Sequence, residues 1–104
     1  MQIENATMSN AEIIDFLVKT NDPNYQLSKI NEECLELGLA LTQRLNKGER
    51  GASNDDIIDE IGDLEIRLQI AKKIFGEKQV NDRIQFKLDK YKEYASKGLY
   101  VGTI

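Results

Sequence analysis

The strongest constraint on the fold is a pair of long stretches that are apolar on two sides of a predicted helix. The first is predicted to run from about Asn24 to Asn46, after an Asp22-Pro23 pair that is typical of a helix N-cap and first position. Its main stripe recurs at spacings of three and four: Leu27, Ile30, Cys34, Leu37, Leu41 and Leu45. Leu35 and Leu39 lie on another side. Such a helix needs more than one neighbour to bury it, which predicts an oligomer.

The second stretch repeats this arrangement. It is predicted to be helical from Asn54 or Asp55 to Phe75, with Ser53 and Asp56 at the spacing of a capping box and Gly76 placed to end the helix. The main stripe comprises Ile57, Ile61, Leu64, Leu68, Ala71 and Phe75, and a second side carries Ile58, Ile66, Ile70 and Ile74. We therefore expect both stretches to pack in a helical bundle.

The remaining chain predicts two shorter helices. Ser9 and Glu12 have capping-box spacing before a helix that fades by Thr20, and a further helix is expected over about Lys78 to Ser96. No stretch alternates apolar and polar residues as a strand does, so we predict an all-α bundle of four to five helices. We expect one domain over residues 1–104, with a loose lead-in at 1–8 and a tail at 99–104.

Composition excludes several classes of function. The chain has 104 residues and a formal charge of −4. It has no histidine, so the usual hydrolytic triads and the commonest transition-metal ligand are excluded. An acidic chain does not suit a nucleic acid polymer, and no stretch is apolar enough to span a membrane. There is no basic-then-apolar leader, and the lone Cys34 agrees with a reducing cytoplasm.

Four carboxylates carry the main chemical prediction. Glu33 and Glu36 are three residues apart in the first stretch, as are Glu60 and Asp63 in the second, so each pair shares one helix face. If the two helices pack antiparallel, all four converge and either raise each other's pKa or bind a cation. Oxygen ligands without His or Cys suit Mg²⁺ or Mn²⁺. The alternative is that these residues lie on ordinary solvated helix faces.

Three single residues near these motifs have specific expectations. Arg67, one turn after Asp63, is expected to pair with a ligand carboxylate rather than to reach a phosphate. Cys34 is expected to be a small core residue. Gly62, between the two carboxylates of the second pair, is placed to allow close approach of a helix or substrate, or simply a packing contact.

The two motifs together resemble a known family. Glu32, Glu33 and Glu36 form Glu-Glu-x-x-Glu, and Glu60 and Asp63 form Glu-x-x-Asp 24 positions after Glu36. This pattern on consecutive amphipathic helices resembles the MazG-like all-α nucleoside triphosphate pyrophosphohydrolases, over about residues 27–91. The resemblance implies hydrolysis of a nucleoside triphosphate to the monophosphate and pyrophosphate. It also implies a homodimer or homotetramer with the active site near the subunit interface.

The resemblance also implies roles for individual residues. Glu33, Glu36, Glu60 and Asp63 would be magnesium ligands, and Glu32 would orient or deprotonate the water. In the fourth helix, Lys87 would contact phosphate, with Arg83 and Lys90 as alternates, although Gln85 stands where the family pattern has Asn. Tyr94 and Tyr100 are candidates for stacking on a base.

Other functions remain open on the sequence. Phosphoribosyl-ATP pyrophosphohydrolases have similar helices, but their second motif is commonly followed by a histidine, which this chain lacks. A ferritin-like di-iron site also requires histidine. No Gly-x-x-x-x-Gly-Lys segment occurs, which excludes a P-loop. The alternative from another class is a non-catalytic helical interaction module, or a nucleotide sensor, whose acidic seam binds a cation.

Overall fold

The computed structural model describes residues 7–98, and this part of the chain is helical without strands. The helices are α1 (Asn10–Thr20), α2 (Pro23–Lys47), α3 (Asn54–Phe75) and α4 (Glu77–Ser96), with a 3₁₀ turn at Gly48–Arg50 between α2 and α3. The all-α prediction is confirmed. The expected lead-in at 1–6 and tail at 99–104, including Tyr100, lie outside the described residues.

Local capping explains where two of the helices begin. The Ser9 hydroxyl accepts from the Glu12 N–H while the Glu12 carboxylate accepts from the Ser9 N–H, which is the predicted capping box of α1. Ser53 and Asp56 form the same reciprocal pair before α3. These bonds satisfy backbone N–H groups that have no partner inside the helix, so both predicted starts are confirmed.

The chain divides into two compact units, Met1–Ile74 and Phe75–Ile104. In the first unit, α1 and α2 are joined by Gln26, whose Nε2 donates to the Leu17 carbonyl over 2.6 Å. Lys73 of α3 forms an ion pair of 3.3 Å with Asp15 of α1. In the second unit, α4 begins after Gly76, whose φ of +122° lies in the region that favours glycine.

The turn between α2 and α3 makes these helices antiparallel. Arg44, in the last turn of α2, donates from Nε to the Ala52 carbonyl over 2.8 Å and from Nη2 to Asn54 Oδ1. At the other end of the pair, Lys29 of α2 lies within electrostatic reach of Arg67 of α3. Residues early in α2 therefore face residues late in α3, as the sequence predicted.

The buried core of the described chain is small. Its buried apolar side chains are Ile14, Ala40, Ala52 and Ile70, and Gln26 is buried with them. Much of the predicted core is exposed instead: Leu27, Leu35, Leu39, Leu41, Leu45, Ile58, Ile61, Leu68 and Phe75. Cys34 is also exposed, so its prediction as a core residue is wrong for this chain. Cys34 directly follows Glu33, so it lies about 100° around α2 from the side on which Glu33 faces α3.

None of the helices in the described range 7–98 has the combination of length and apolar character that crossing a bilayer requires.

Gly51 is predicted to be required for the turn that sets the α2–α3 pairing. Its φ of −79° suits any residue, but a Cβ at this position would collide with the Gln43 carbonyl carbon and oxygen. We expect Gly51→Ala to lower the free energy of unfolding by about 1–3 kcal/mol, as overpacking typically does. Gly38→Ala, in α2 where a Cβ meets no atom within 4 Å, is the matched control and is expected to stabilise by about 0.8–1 kcal/mol. Urea unfolding measures both, and equal stability of Gly51→Ala and the wild type would contradict this account.

Candidate metal centre between helices α2 and α3

The facing surfaces of α2 and α3, here called the seam, follow a seven-residue repeat. On α2 the seam comprises Gln26, Ile30, Glu33, Leu37, Ala40 and Arg44, and on α3 it comprises Ser53, Ile57, Glu60, Leu64, Arg67 and Ala71. All of these residues are buried or half-buried. Such spacing is that of helices packed side by side. The seam includes charged residues, and this explains why the predicted apolar stripes are partly exposed.

Three carboxylates meet at the seam: Glu33 and Glu60 belong to it, and Glu36 lies exposed beside it. Glu33, Glu36 and Glu60 each offer one oxygen such that the three atoms lie within 4.8 Å of one another. The charge of Asp63, the fourth predicted ligand, acts on both Glu33 and Glu60. We call these four residues the carboxylate cluster. The structure thus brings together the two motifs that the sequence singled out.

Two oxygens of the cluster are buried without a partner. Glu33 Oε2 and Glu60 Oε2 are inaccessible to solvent and receive no hydrogen bond from an N–H or hydroxyl group of the described residues. Both carboxyls lie within hydrogen-bonding reach of the Glu36 carboxyl, where a bond requires a proton shared between the two groups. A buried polar atom in this state costs about 1–3 kcal/mol, and more when it is charged. Native structures rarely leave such atoms unsatisfied unless a bound group completes them. The observation therefore favours a cation between these oxygens over an ordinary solvated helix face.

The electrostatics of the cluster agree with this interpretation. Burial raises the pKa of Glu33, and the charges of Glu36 and Asp63 raise it further. Burial also raises the pKa of Glu60, again with added repulsion from Glu36 and Asp63. For both groups the largest contributions, including a hydrogen bond to the Glu36 carboxyl, all raise the pKa. A divalent cation would supply positive charge to such a cluster.

The neighbours of the cluster differ partly from expectation. Glu32, the predicted water-orienting residue, is exposed and pairs with Lys29 over 3.1 Å. Arg67 lies one turn beyond Asp63 but takes part in none of the ion pairs among residues 7–98, so the prediction of an ion pair with a ligand is wrong. A Cβ on Gly62 would meet no atom within 4 Å, so no contact in the described chain requires this glycine.

The predicted phosphate-binding residues lie on α4 in the second unit. Arg83 and Lys90 both lie over the Phe86 ring, at 5.0 and 5.7 Å from its centroid, and Lys87 lies over Tyr91 at 5.6 Å. These cation–π contacts hold the three basic side chains on one helix segment. Their proposed contact with phosphate stays a prediction.

Sequence reasoning missed the cavity beside the cluster. An open cavity of about 260 Å³ is lined by Glu36 and Glu60 and by Gln43, Asp56, Asp59 and Ala52. Gln43 follows Glu36 by seven residues, so the repeat would have placed both on one face of α2. The cavity lies at the end of the cluster nearer the α2–α3 turn, and its charged walls are acidic.

Comparison with family models, with curated proteins and with solved structures finds no match to this chain. The resemblance described above therefore rests on the motif residues alone.

The raised pKa values predict how the stability of the metal-free protein depends on pH. Glu60 has a higher pKa in the folded state than its ordinary value of 4.5. The free energy of unfolding of the protein therefore falls as the pH rises from 4.5 through the folded-state pKa of Glu60. Glu60→Gln removes this penalty, so we expect the variant to have a higher Tm than the wild type at pH 7 in EDTA. The difference should disappear near pH 4.

The control for this prediction is Glu65→Gln, an exposed carboxylate of the same helix. Thermal unfolding followed by circular dichroism at several pH values in EDTA measures all three proteins. Excess Mg²⁺ at pH 7 should stabilise the wild type and the Glu65→Gln variant more than the Glu60→Gln variant. Identical behaviour of the two variants under all of these conditions would contradict a metal site at Glu60.

Proposed function

We propose that this protein is a metal-dependent nucleoside triphosphate pyrophosphohydrolase. The observation that carries the proposal is the carboxylate cluster, in which Glu33 Oε2 and Glu60 Oε2 are buried without hydrogen-bond partners. The motif resemblance to the MazG-like family supplies the reaction. Water adds to the α-phosphorus, the α–β phosphoanhydride bond breaks, and the products are a nucleoside monophosphate and pyrophosphate.

The cluster residues fit a hard divalent cation. Glu33, Glu36 and Glu60 would hold it, with Asp63 as the fourth ligand, and an all-oxygen set favours Mg²⁺ or Mn²⁺. When bound, such a cation supplies charge neutralisation for phosphate and acidification of water. The chain needs neither histidine nor a nucleophilic side chain for this chemistry.

The chain's own residues would orient the water and the substrate. Glu32, whose carboxylate forms an ion pair with Lys29 Nζ, would accept a proton of the attacking water. The resemblance to the MazG-like family gives Lys87 of α4, with Arg83 and Lys90 as alternates, a contact with phosphate that stays a prediction. Tyr94 of the same helix is the candidate for stacking on the base.

We propose that the active form is a homodimer or homotetramer. Apolar side chains on both long helices are exposed, including Leu35 at 64%, Ile58 at 61% and Leu45 at 85%. Monomeric proteins rarely expose apolar surface so extensively. The cavity beside the cluster, at about 260 Å³, is also at the lower limit for a small-molecule site, so a second subunit would complete the pocket. A cytoplasmic location suits the lone cysteine and a nucleotide substrate.

The exposed apolar surface also supports a second candidate. A non-catalytic interaction module, or a nucleotide sensor, would use the same surface to bind a partner and the cluster to bind a cation for stability. Turnover distinguishes the two candidates, because only the enzyme releases pyrophosphate.

The activity test is pyrophosphate release from a panel of canonical and modified nucleoside triphosphates with Mg²⁺, Mn²⁺ or EDTA. We expect metal-dependent release from at least one member. Glu36→Gln and Glu60→Gln should each lower kcat by at least about a hundredfold, since even residues that support metal ligands cost about 10–100-fold when lost. Glu65→Gln is the matched control and should retain activity. No release by a folded, oligomeric wild type, with Mg²⁺ binding intact, would favour the interaction module.

The oligomer is tested by introducing charge into the exposed apolar surface. Leu35→Glu and Ile58→Glu should convert the protein to a monomer, since an unpaired charge at an interface costs several kcal/mol. Asn24→Glu, in the first turn of α2, adds the same charge away from these leucine and isoleucine positions. Light scattering after size exclusion gives the mass of each protein. A monomeric wild type, or unchanged mass in both variants, would contradict the proposed oligomer.

A further inference from the structure

A second polar layer of the seam lies next to the carboxylate cluster. Gln26 precedes Glu33 by seven residues on α2, and Arg67 follows Glu60 by seven residues on α3. Since the helices are antiparallel and Glu33 faces Glu60, the same register places Gln26 opposite Arg67. The seam therefore carries two adjacent polar layers, one of carboxylates and one of an amide facing a guanidinium.

The buried side-chain atoms without partners are confined to these two layers. In the described part of the chain they are Glu33 Oε2, Glu60 Oε2, Gln26 Oε1 and Arg67 Nη1. Gln26 is only 1% exposed, and its Nε2 is already used by the Leu17 carbonyl. Arg67 as a whole is half-buried. One layer is acidic, and the other contains a guanidinium whose Nη1 has no hydrogen-bond partner among the described residues.

Arg67 differs from three other basic residues of the first unit, which have partners. Lys29 pairs with Glu32, Lys73 pairs with Asp15, and Arg44 donates to the turn before α3. Glu32 raises the pKa of Lys29 through a hydrogen bond and through its charge. The positive charge of Arg67 lowers the pKa of Lys29 by a smaller amount. Yet Arg67 does not offset the raised pKa values of Glu33 or Glu60.

We infer that Arg67 binds the pyrophosphate end of the substrate, an inference that rests on the proposed function. A guanidinium binds phosphate oxygens through parallel N–H donors, and next to a cation site it would share the same polyphosphate. Gln26, a neutral acceptor, faces Arg67 without neutralising it and is a positioning residue. The cavity at the other end of the cluster has acidic walls, which disfavour phosphate there and suit the nucleoside.

The test uses inorganic pyrophosphate as the probe, so it does not depend on turnover. Isothermal titration calorimetry of the full chain at saturating Mg²⁺ gives the Kd for pyrophosphate. We expect Arg67→Met to raise this Kd about 10–100-fold, the loss typical of hydrogen bonds to charged groups, and Arg67→Lys to have a smaller effect. Lys19→Met, an exposed charge change on α1, should leave the Kd unchanged.

Several results would overturn the inference. These are a wild type that binds no pyrophosphate, equal Kd values for Arg67→Met and Lys19→Met, or an Arg67→Met variant whose loss of binding follows a change in oligomer mass. If the wild type binds pyrophosphate through Arg67 but hydrolyses no triphosphate, the proposed function fails and the anion site stands.

A spectroscopic measurement keeps the inference testable if both Arg67 variants unfold. The chain has four arginines, so guanidinium signals of ¹⁵N-arginine-labelled wild type can be resolved by NMR. Titration with Mg²⁺-pyrophosphate should shift one buried, slowly exchanging guanidinium, expected for Arg67 because of the inaccessible Nη1. A titration that shifts no such signal would overturn the inference.

Discussion

Like charges half-buried between α2 and α3 are the constraint on which the rest of the structure depends. Glu33 and Glu60 occupy seam positions where helix pairs ordinarily place apolar side chains. The helices are held by the apolar members of the seam, by Arg44 at the turn and by Gln26 at the Leu17 carbonyl, with a partly exposed ion pair between Lys73 and Asp15. The scaffold therefore keeps the carboxylates close although their repulsion opposes it. Sites arranged in this way sacrifice stability for function.

The turn between the helices determines which carboxylates meet. Gly51 approaches the Gln43 carbonyl too closely for any side chain, and Arg44 ties the end of α2 to the backbone before α3. Together these contacts fix the register of the seam. A shift of α3 by one residue would rotate Glu60 by about 100° around its helix and out of the cluster. The geometry of the site thus depends on contacts more than two helical turns away.

Local sequence signals were enough to predict where the helices lie. They were not enough to predict which side of each helix packs against its own chain. The capping boxes at Ser9 and Ser53 depend on residues three positions apart, so sequence alone located both starts. Convergence of the carboxylates followed from i, i+3 spacing and an antiparallel turn. Which side of a two-sided helix faces its own chain depends on tertiary packing, and Cys34 was therefore placed wrongly. The prediction for Arg67 failed for a related reason. An ion pair with Asp63, four residues earlier, requires one of several possible rotamers of Arg67, and the structure has a different one.

The two ends of the seam differ in charge. At the turn end, the cavity is bounded by Asp56 and Asp59 beside the proposed ligands Glu36 and Glu60, and the two aspartates would repel phosphate. At the opposite end, Arg67 presents a positive charge that no described carboxylate neutralises. A polyphosphate bound to a cation in the cluster would have lower electrostatic energy with its terminal phosphates near Arg67 than with them in the cavity. The nucleoside, which offers hydroxyl and amino donors, is the part that acidic walls can accept. The same cluster would then select both the cation and the orientation of the chain of phosphates.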